Sequence, residues 1–446
     1  MEKPAARRWS VPIGALFILA PAFVNRYPFL YSDTCTYLDG GFANLVNNMR
    51  PITYGLFMRH VSLLESMWLV VFVQALIVSW LIHLFFDTFS QIQHRMAPLL
   101  CIVLLSIGTN IGISVGMLMP DFFTAAALLA AAVLFFGENV SRRALLLCVL
   151  IFWFGIACHH SNLFIFSLIV GVVALQRLWA RYKKRSEYPR RIWLAAALLV
   201  LSWLTIPTLH YVYGGTFERE NASHVFMVSR FMQMGQLRPF LCETCGVTAE
   251  YNLCPYKDRL PENFLWASDS PVYLTGGWQA NRAEYRRLIY DFLSTPKYLR
   301  KFCFKTVETA IQQFFCYEGK IVFKEADGGA PVDAMIRVWP EQMPAVRSSL
   351  QYVDGWEYKQ QDRIQHVVVL GSFLFCLWCL LFASGAATPL QRQLAGFLLL
   401  GLMANALICG GVSMLDPRFQ SRVIWLAPMF ALWLYGERAV GLFKIG

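Results

Sequence analysis

Charge is what this sequence has least of. Only 15% of its 446 residues are Asp, Glu, Lys or Arg, while 57% are hydrophobic. Soluble domains carry about a quarter charged residues, so a free-standing globular enzyme is excluded. The formal net charge of +11 has an ordinary home in cytoplasmic loops beside anionic lipid, and no nucleic-acid module accompanies it. The sequence also lacks a Walker loop and an HExxH helix, and its one GxSxG string, 112–116, falls inside an apolar run rather than at the strand-to-helix turn a serine-nucleophile elbow needs. Covalent nucleophile chemistry therefore has no support. No internal repeat or low-complexity tract is visible.

What is present is a set of apolar runs long enough to cross a bilayer, for which ~20 residues suffice. They predict an all-α polytopic membrane protein with about ten transmembrane helices and one large extracytoplasmic loop region. The expected spans lie near 9–25, 67–86, 98–118, 121–136, 144–158, 162–179, 192–213, 364–385, 393–412 and 422–437. This divides the chain into an N-terminal transmembrane module, 1–213, a loop region, 214–363, and a C-terminal transmembrane module, 364–446. Gly108, Gly112, Gly116 and Gly401 suggest close helix packing. The start "MEKPAARRWSVPIGALFILAPAF" has the basic head and apolar core of a signal peptide, but no clear small-x-small cleavage site follows. It reads as a retained first helix.

Orientation follows from Lys and Arg in the short loops. With the N-terminus inside, sixteen fall on inner segments and five on short outer loops. The stretch "QRLWARYKKRSEYPRR", 176–191, carries most of that difference. The polar clusters "YSDTCTYLDGG", "MPDFF", "CHHSN" and "MLDPRFQSR" then share the outer side with residues 214–363. The spans themselves are nearly free of charge, with Gln74, His83, Asn110 and Asn405 as the main polar exceptions. An ion-coupled transporter keeps ionisable groups near the midplane. Their absence directs attention to the outer interface.

Of twelve cysteines, Cys101, Cys148, Cys376, Cys379 and Cys409 fall at membrane depth and read as packing residues. Cys35 and Cys158 lie near membrane edges. "CETCGVTAEYNLC" offers half a zinc site, but no second ligand pair follows at a usual spacing. A disulfide is favoured in an oxidising compartment, with Cys245–Cys254 the preferred pair and Cys242 a rival partner.

Several residues have the chemistry for a site. Asp33 follows Ser32 and precedes Thr34, a setting that suits a helix N-cap. Tyr27, Tyr31 and Tyr37 give it a partly apolar wall, in which a carboxylate can serve as general base. Arg50-Pro51, followed by Tyr54-Gly55, marks a tight start to another helix. Asp121, after Pro120, favours the positive end of the fourth span or acts as a second acid that positions an acceptor or a metal. His159 and His160 are adjacent, so about 100° of helix rotation separates them. One can bind a phosphate while the other packs or caps. Arg418 and Arg422, four apart after Pro417, share a helix face and suit an anion. Asp416 is placed to pair with Arg418. In "STPKYLRKFCFKTVETAIQQFF", 294–315, Leu299, Phe302, Val307, Ile311 and Phe314 broadly fit one face. Lys297, Arg300, Lys301 and Lys305 near its start predict an interfacial helix on the outer leaflet. Packing against the loop region is the competing expectation. "RAEYRRLIYDFL" just before it predicts another short helix.

An acidic loop after span 1, "RPITYGLF", "PD" opening span 4 and a late "DPRFQSR" together resemble the GT-C superfamily of integral-membrane glycosyltransferases. The similarity is to protein mannosyltransferases and aminoarabinose transferases, best over spans 1–4 and moderate over the last. It implies transfer of a sugar from a polyprenyl-phosphate carrier to a glycan, lipid or protein acceptor, with inversion, on the extracytoplasmic side. By matched position Asp33 corresponds to the catalytic base, Asp121 to the acid opening a later helix, and Arg418 to the arginine near the leaving phosphate. Arg422 and His159 or His160 assist by their spacing, and Tyr37 and Arg50 join them in the expected substrate-binding set. Phe419 stands where the family has tyrosine, Asp33 lacks an adjoining acid, and no sequon-binding motif appears, which sets aside an oligosaccharyltransferase. A divalent cation, Mg or Mn, is the one cofactor left open. Membrane lipids complete the expected partners, and a bacterial inner membrane with the site facing the periplasm is the expected location. Two other readings stand beside this one. A glycan polymerase or ligase would use a pyrophosphate-linked donor and depend less on Asp33. A lipid or glycan flippase or transporter would need a polar cavity through the spans.

Overall fold

The computed structural model describes residues 6–46, 49–91, 96–183, 191–319, 330–353, 355, 359–381 and 387–443. Every regular element among them is helical, and β-pairing is confined to two isolated bridges, Phe29 with Met117 and Cys245 with Ala249. Five helical runs are long and apolar enough to cross a membrane: Met67–Phe89, His160–Tyr182, Ile192–Gly214, Lys359–Leu381 and Pro389–Ser413. The chain is a helical membrane protein. Of the basic residues that set its expected orientation, Lys3, Arg95, Lys184, Arg185, Arg190 and Lys444 lie outside the described residues.

Three expected spans arrive in pieces, the last of them, 422–437, divided between Pro417–Ile424 and Leu426–Phe443. Residues 9–25 form helices Ala6–Ile18 and Ala20–Asn25, and residues 98–118 form Ala97–Gly108 and Ile111–Gly116. The second break has a visible cause. Thr109 turns extended, and Asn110 exchanges helical bonds for side chains of helix Lys359–Leu381. Its backbone N–H donates to Gln365 at 2.6 Å and its amide to Asp362 at 2.8 Å. Helix Phe122–Phe136 is apolar on all sides and almost wholly buried, as a central helix must be. Gln74 reaches from Met67–Phe89 to the end of Ile111–Gly116, donating to the carbonyls of Val115 and Met117 and accepting from the Tyr54 hydroxyl. Thus Gln74 and Asn110 serve the backbone breaks near the outer ends of the bundle.

Those breaks gather the outer loops. Phe29 N–H donates to Gly116, and Leu118 N–H donates to Phe29, each at 2.9 Å. The Thr34 hydroxyl adds a bond to the Leu118 carbonyl. This short pairing carries Asp33 to the strip that precedes Asp121. Helix Thr34–Phe42 then crosses helix Ile52–Val61 through Gly41 and Gly55. A Cβ on Gly41 would stand 2.1 Å from the Gly55 carbonyl oxygen, so only glycine permits the crossing. Arg50, at the start of the second helix, is brought beside Asp33.

Residues 223–302 build a second core, in which Phe231 stacks on Phe292 with ring centres 3.8 Å apart. Cys245 and Cys254 are joined by a disulfide in it, and Cys242 is an exposed free thiol. "RAEYRRLIYDFL" lies in helix Arg282–Ser294. Helix Pro296–Phe315 follows and divides its apolar residues differently from the expected single face. Phe302 and Phe314 pack inward, whereas Phe304, Val307, Ile311 and Phe315 form an exposed stripe. Its inner face lies on the π-helical segment Leu407–Ser413. Gly410 and Gly411 allow that approach; a Cβ on Gly410 would sit 2.2 Å from Gln313 Cβ.

Candidate functional site

Five charged side chains from four segments meet in one cluster. Asp33 is the N-cap of helix Thr34–Phe42, yet its side chain makes no capping bond. It turns instead to Arg50 at 2.9 Å and Arg418 at 3.3 Å. Asp121 is likewise an N-cap without a capping bond. It meets Arg422 at 3.2 Å and lies 3.9 Å from Arg418. Arg418 therefore stands between two carboxylates donated by loops 88 positions apart in sequence (121 minus 33). The capping expected of both acids gives way because guanidinium partners hold a carboxylate more strongly than backbone N–H groups do.

The arginines are fixed by their own helix. Asp416 caps Pro417–Ile424 by accepting from the Arg418 backbone N–H at 2.9 Å. This differs from the expected side-chain pairing of Asp416 with Arg418. The Arg418 guanidinium lies over the Tyr31 ring at 4.1 Å. Arg422 is fully buried and donates to Asn405 at 2.9 Å and Ser161 at 3.1 Å, and it touches Cys409 Sγ at 3.2 Å. The sequence singled out Asn405 as a polar residue inside a span, but its role as the seat of Arg422 needed the fold. Ser161 and Cys409 carried no signal of their own.

Three guanidiniums face Asp33 and Asp121, and the Asp416 carboxylate also acts on Arg418, so the charges of the cluster balance. Burial opposes ionisation of Asp33, but Arg50 and Arg418 outweigh it and hold the carboxyl below its ordinary value. Arg418 Nε and Nη1 and Asp121 Oδ2 are buried without a hydrogen-bond partner among the described residues. Such groups cost free energy until an acceptor or donor reaches them. His159 caps helix His160–Tyr182, its Nδ1 accepting from Ser161 N–H at 3.1 Å. Burial, reinforced by Arg422, keeps its imidazole neutral well below the ordinary histidine value.

A cavity of about 460 Å³ meets the cluster through Arg50; Asp33, Asp121, Arg418 and Arg422 do not line it. Arg50, His159, His160, Arg219 and Glu220 contribute to its polar wall, and Phe164, Phe226, Met227, Ile408, Val412 and Phe419 to its apolar wall. Sequence reasoning did not single out Arg219 or Glu220. Arg219 lies over the rings of Phe164 and Trp203 and pairs with Glu220, whose other oxygen accepts from Ala222 and Ser223 N–H. Tyr37, expected to touch substrate, is instead 1% exposed and packs edge-on against Tyr54. Its hydroxyl has no partner among the described residues.

The basic residues of helix Pro296–Phe315 lie apart from the cluster. Lys297 pairs with Glu243 and Lys305 with Glu308, Lys301 lies 5.8 Å from the Tyr298 ring, and Arg300 is exposed. That helix touches the site through Gln313, which donates to the Asp416 carbonyl at 2.8 Å and accepts its N–H at 3.0 Å. A divalent cation does not fit the acids present. Asp33 and Asp121 are both engaged by guanidiniums, and no group of three His, Cys, Asp or Glu side chains gathers among the described residues. Compared with known proteins, the chain matches no family model, no curated protein and no solved structure.

Proposed function

We propose that this protein is a membrane-embedded glycosyltransferase of the GT-C type. It takes a sugar from a polyprenyl-phosphate carrier and passes it, with inversion, to a hydroxyl on a glycan, lipid or protein acceptor. The observation that carries the reading is the meeting of Asp33 and Asp121 on one guanidinium, Arg418, next to Arg50, which lines a cavity with a polar wall that also holds Arg219 and an apolar wall opposite. A phosphate joined to an isoprenoid chain has that same division of chemistry. On this reading each fragmented helix pair is one crossing, ten in all, and the cluster lies on the outer face. A bacterial inner membrane, with the cluster toward the periplasm, suits the excess of inner basic residues.

The chemistry follows from the charges. Asp33 tied to two arginines is ionised but a weak base. A carrier phosphate engaging Arg50 and Arg418 competes for those guanidiniums and restores basicity to Asp33. The acceptor oxygen then attacks the anomeric carbon while its proton passes to Asp33. The bond from that carbon to the phosphate oxygen breaks, and the negative charge left on the phosphate is stabilised by Arg418. The Asp121–Arg422 pair holds the arginine helix in place. Mass spectrometry of lipid-linked sugars and envelope glycans, with and without the gene, tests the reading. A carrier-linked sugar should accumulate and a glycan should lose that sugar when the gene is absent. Unchanged pools of both would dismiss it.

A further inference from the structure

Outside the cavity lies a run of aromatic rings that the charge cluster does not use. Phe226, on the cavity wall, meets Trp278 edge-on at 5.7 Å, and Trp278 meets Trp266 at 5.6 Å. Trp266 is 53% exposed, so an indole face looks outward with none of the described residues covering it, and the half-buried Trp278 adjoins it at a tilt of 48°.

The rings are held on a rigid frame. The Asn281 amide donates to the Val272 carbonyl, the Thr275 hydroxyl and the Gly277 carbonyl. Gly276 and Gly277 have φ of +101° and +84°, so the turn that presents Trp278 favours glycine. His224 contacts the Trp278 carbonyl at 2.7 Å. Near Trp266, the Ser270 and Tyr273 hydroxyls donate to the carbonyls of Phe264 and Leu265. A surface fixed in this way loses little freedom when something docks on it.

Its surroundings select the partner. Residues 261–280 contain two acids, Glu262 and Asp269, both exposed, and no Lys or Arg. Asn263 and Gln279 are exposed as well. Arg282, paired with Glu218, and the exposed Arg286 act on His224 beside Trp278, so the surroundings carry both signs of charge, and exposed carboxylates and amides would lose hydration against lipid. A neutral saccharide fits a polar surface of mixed charge. Its C–H faces cover an indole ring, and its hydroxyls donate to carboxylates and exchange bonds with amides.

We propose that Trp266 and Trp278 form a docking platform for a neutral saccharide, leading past Phe226 to the cavity. Under the glycosyl-transfer reading, on which this one assignment rests, the docked saccharide is the acceptor.

The test uses the full chain in phosphatidylcholine nanodiscs, titrated with a panel of uncharged oligosaccharides including maltohexaose and chitohexaose, and with oligogalacturonate as the acidic counterpart. The wild type should bind a neutral member more tightly than the acidic one. Trp266→Leu and Trp278→Leu, which keep apolar bulk but lose the flat ring, should each weaken that binding about tenfold. Both should bind undecaprenyl phosphate as the wild type does. No neutral binding, stronger binding of the acidic probe, or leucine variants equal to wild type would overturn the platform. So would quenching by brominated lipid of the fluorescence that Trp266→Leu removes, because the ring would then face lipid. Saccharide binding without undecaprenyl phosphate binding would instead remove the glycosyl-transfer reading and leave the platform standing.

Discussion

Asp33 and Asp121 hold the same kind of position, the residue just before a helix, and neither side chain makes the capping bond. What distinguishes them is how far each arginine partner is buried. Arg422 and Asp121 are 0% and 2% exposed in their side chains, so removing one strands a charge in a dry interior. Arg422→Met should therefore destabilise the protein by about 3–5 kcal/mol, read by denaturation in detergent. Asp33 and Arg50 are about a fifth exposed, at 20% and 22%, so Asp33→Asn should cost less stability and act chiefly on turnover. Transfer should be abolished while carrier binding persists; near-normal transfer would remove Asp33 as the base. The pH dependence has a definite sign. A carboxyl whose folded value is depressed adds stability above its unfolded value, about 3.9, and loses it as pH falls through the lower folded value. The stability difference between wild type and Asp33→Asn should stay level from neutral pH down to about 4 and shrink below that. A difference that fades between pH 7 and 5 would contradict the pairing with Arg50 and Arg418.

At the scale of elements, the π-helical segment Leu407–Ser413 is the joint between membrane and outer region. A π turn misaligns carbonyls from their usual donors, and Arg230 supplies donors in their place. Its guanidinium bonds to the Gly410 carbonyl at 2.8 Å and the Gly411 carbonyl at 3.0 Å. The same segment lines the cavity through Ile408, Cys409, Val412 and Ser413 and leads into Asp416. Gly410→Ala should force helix Pro296–Phe315 outward and cost about 1–3 kcal/mol. Gly171→Ala is the matched control, because its Cβ meets nothing within 4 Å. That substitution should be neutral or stabilise by about 0.4–1 kcal/mol. Thermal melts of the two variants should separate; equal melting temperatures would mean that the joint is loose.

For the whole molecule, the question is which residues share a side of the membrane. Cys242 and Cys303 are exposed free thiols in the region after Ile192–Gly214, whereas Cys101, Cys148, Cys158, Cys379 and Cys409 are buried. A membrane-impermeant maleimide should label intact spheroplasts through those two thiols, and a Cys242→Ser, Cys303→Ser variant should lose most of the signal. Lys183→Cys on that background should react only after permeabilisation. The opposite pattern would invert the topology and detach the cluster from the periplasm.

Composition and apolar run length sufficed for a helical membrane protein, because ~20 uncharged residues have one stable home. The residues of the candidate site were legible as well, since acids, arginines and paired histidines are conspicuous beside apolar spans. Their arrangement was not. That Asp33 reaches Asp121 depends on two backbone bonds between Phe29 and residues 116–118. That Arg422 is buried depends on Asn405, 17 positions away, and on Ser161, 261 positions away. Helix breaks such as Asn110 were hidden because an amide from another helix replaced the helical bond. Local sequence governs where a segment lies relative to water and lipid, through the free energy of transferring its own side chains. Which distant side chains share one pocket is a property of packing, and only tertiary structure decides it.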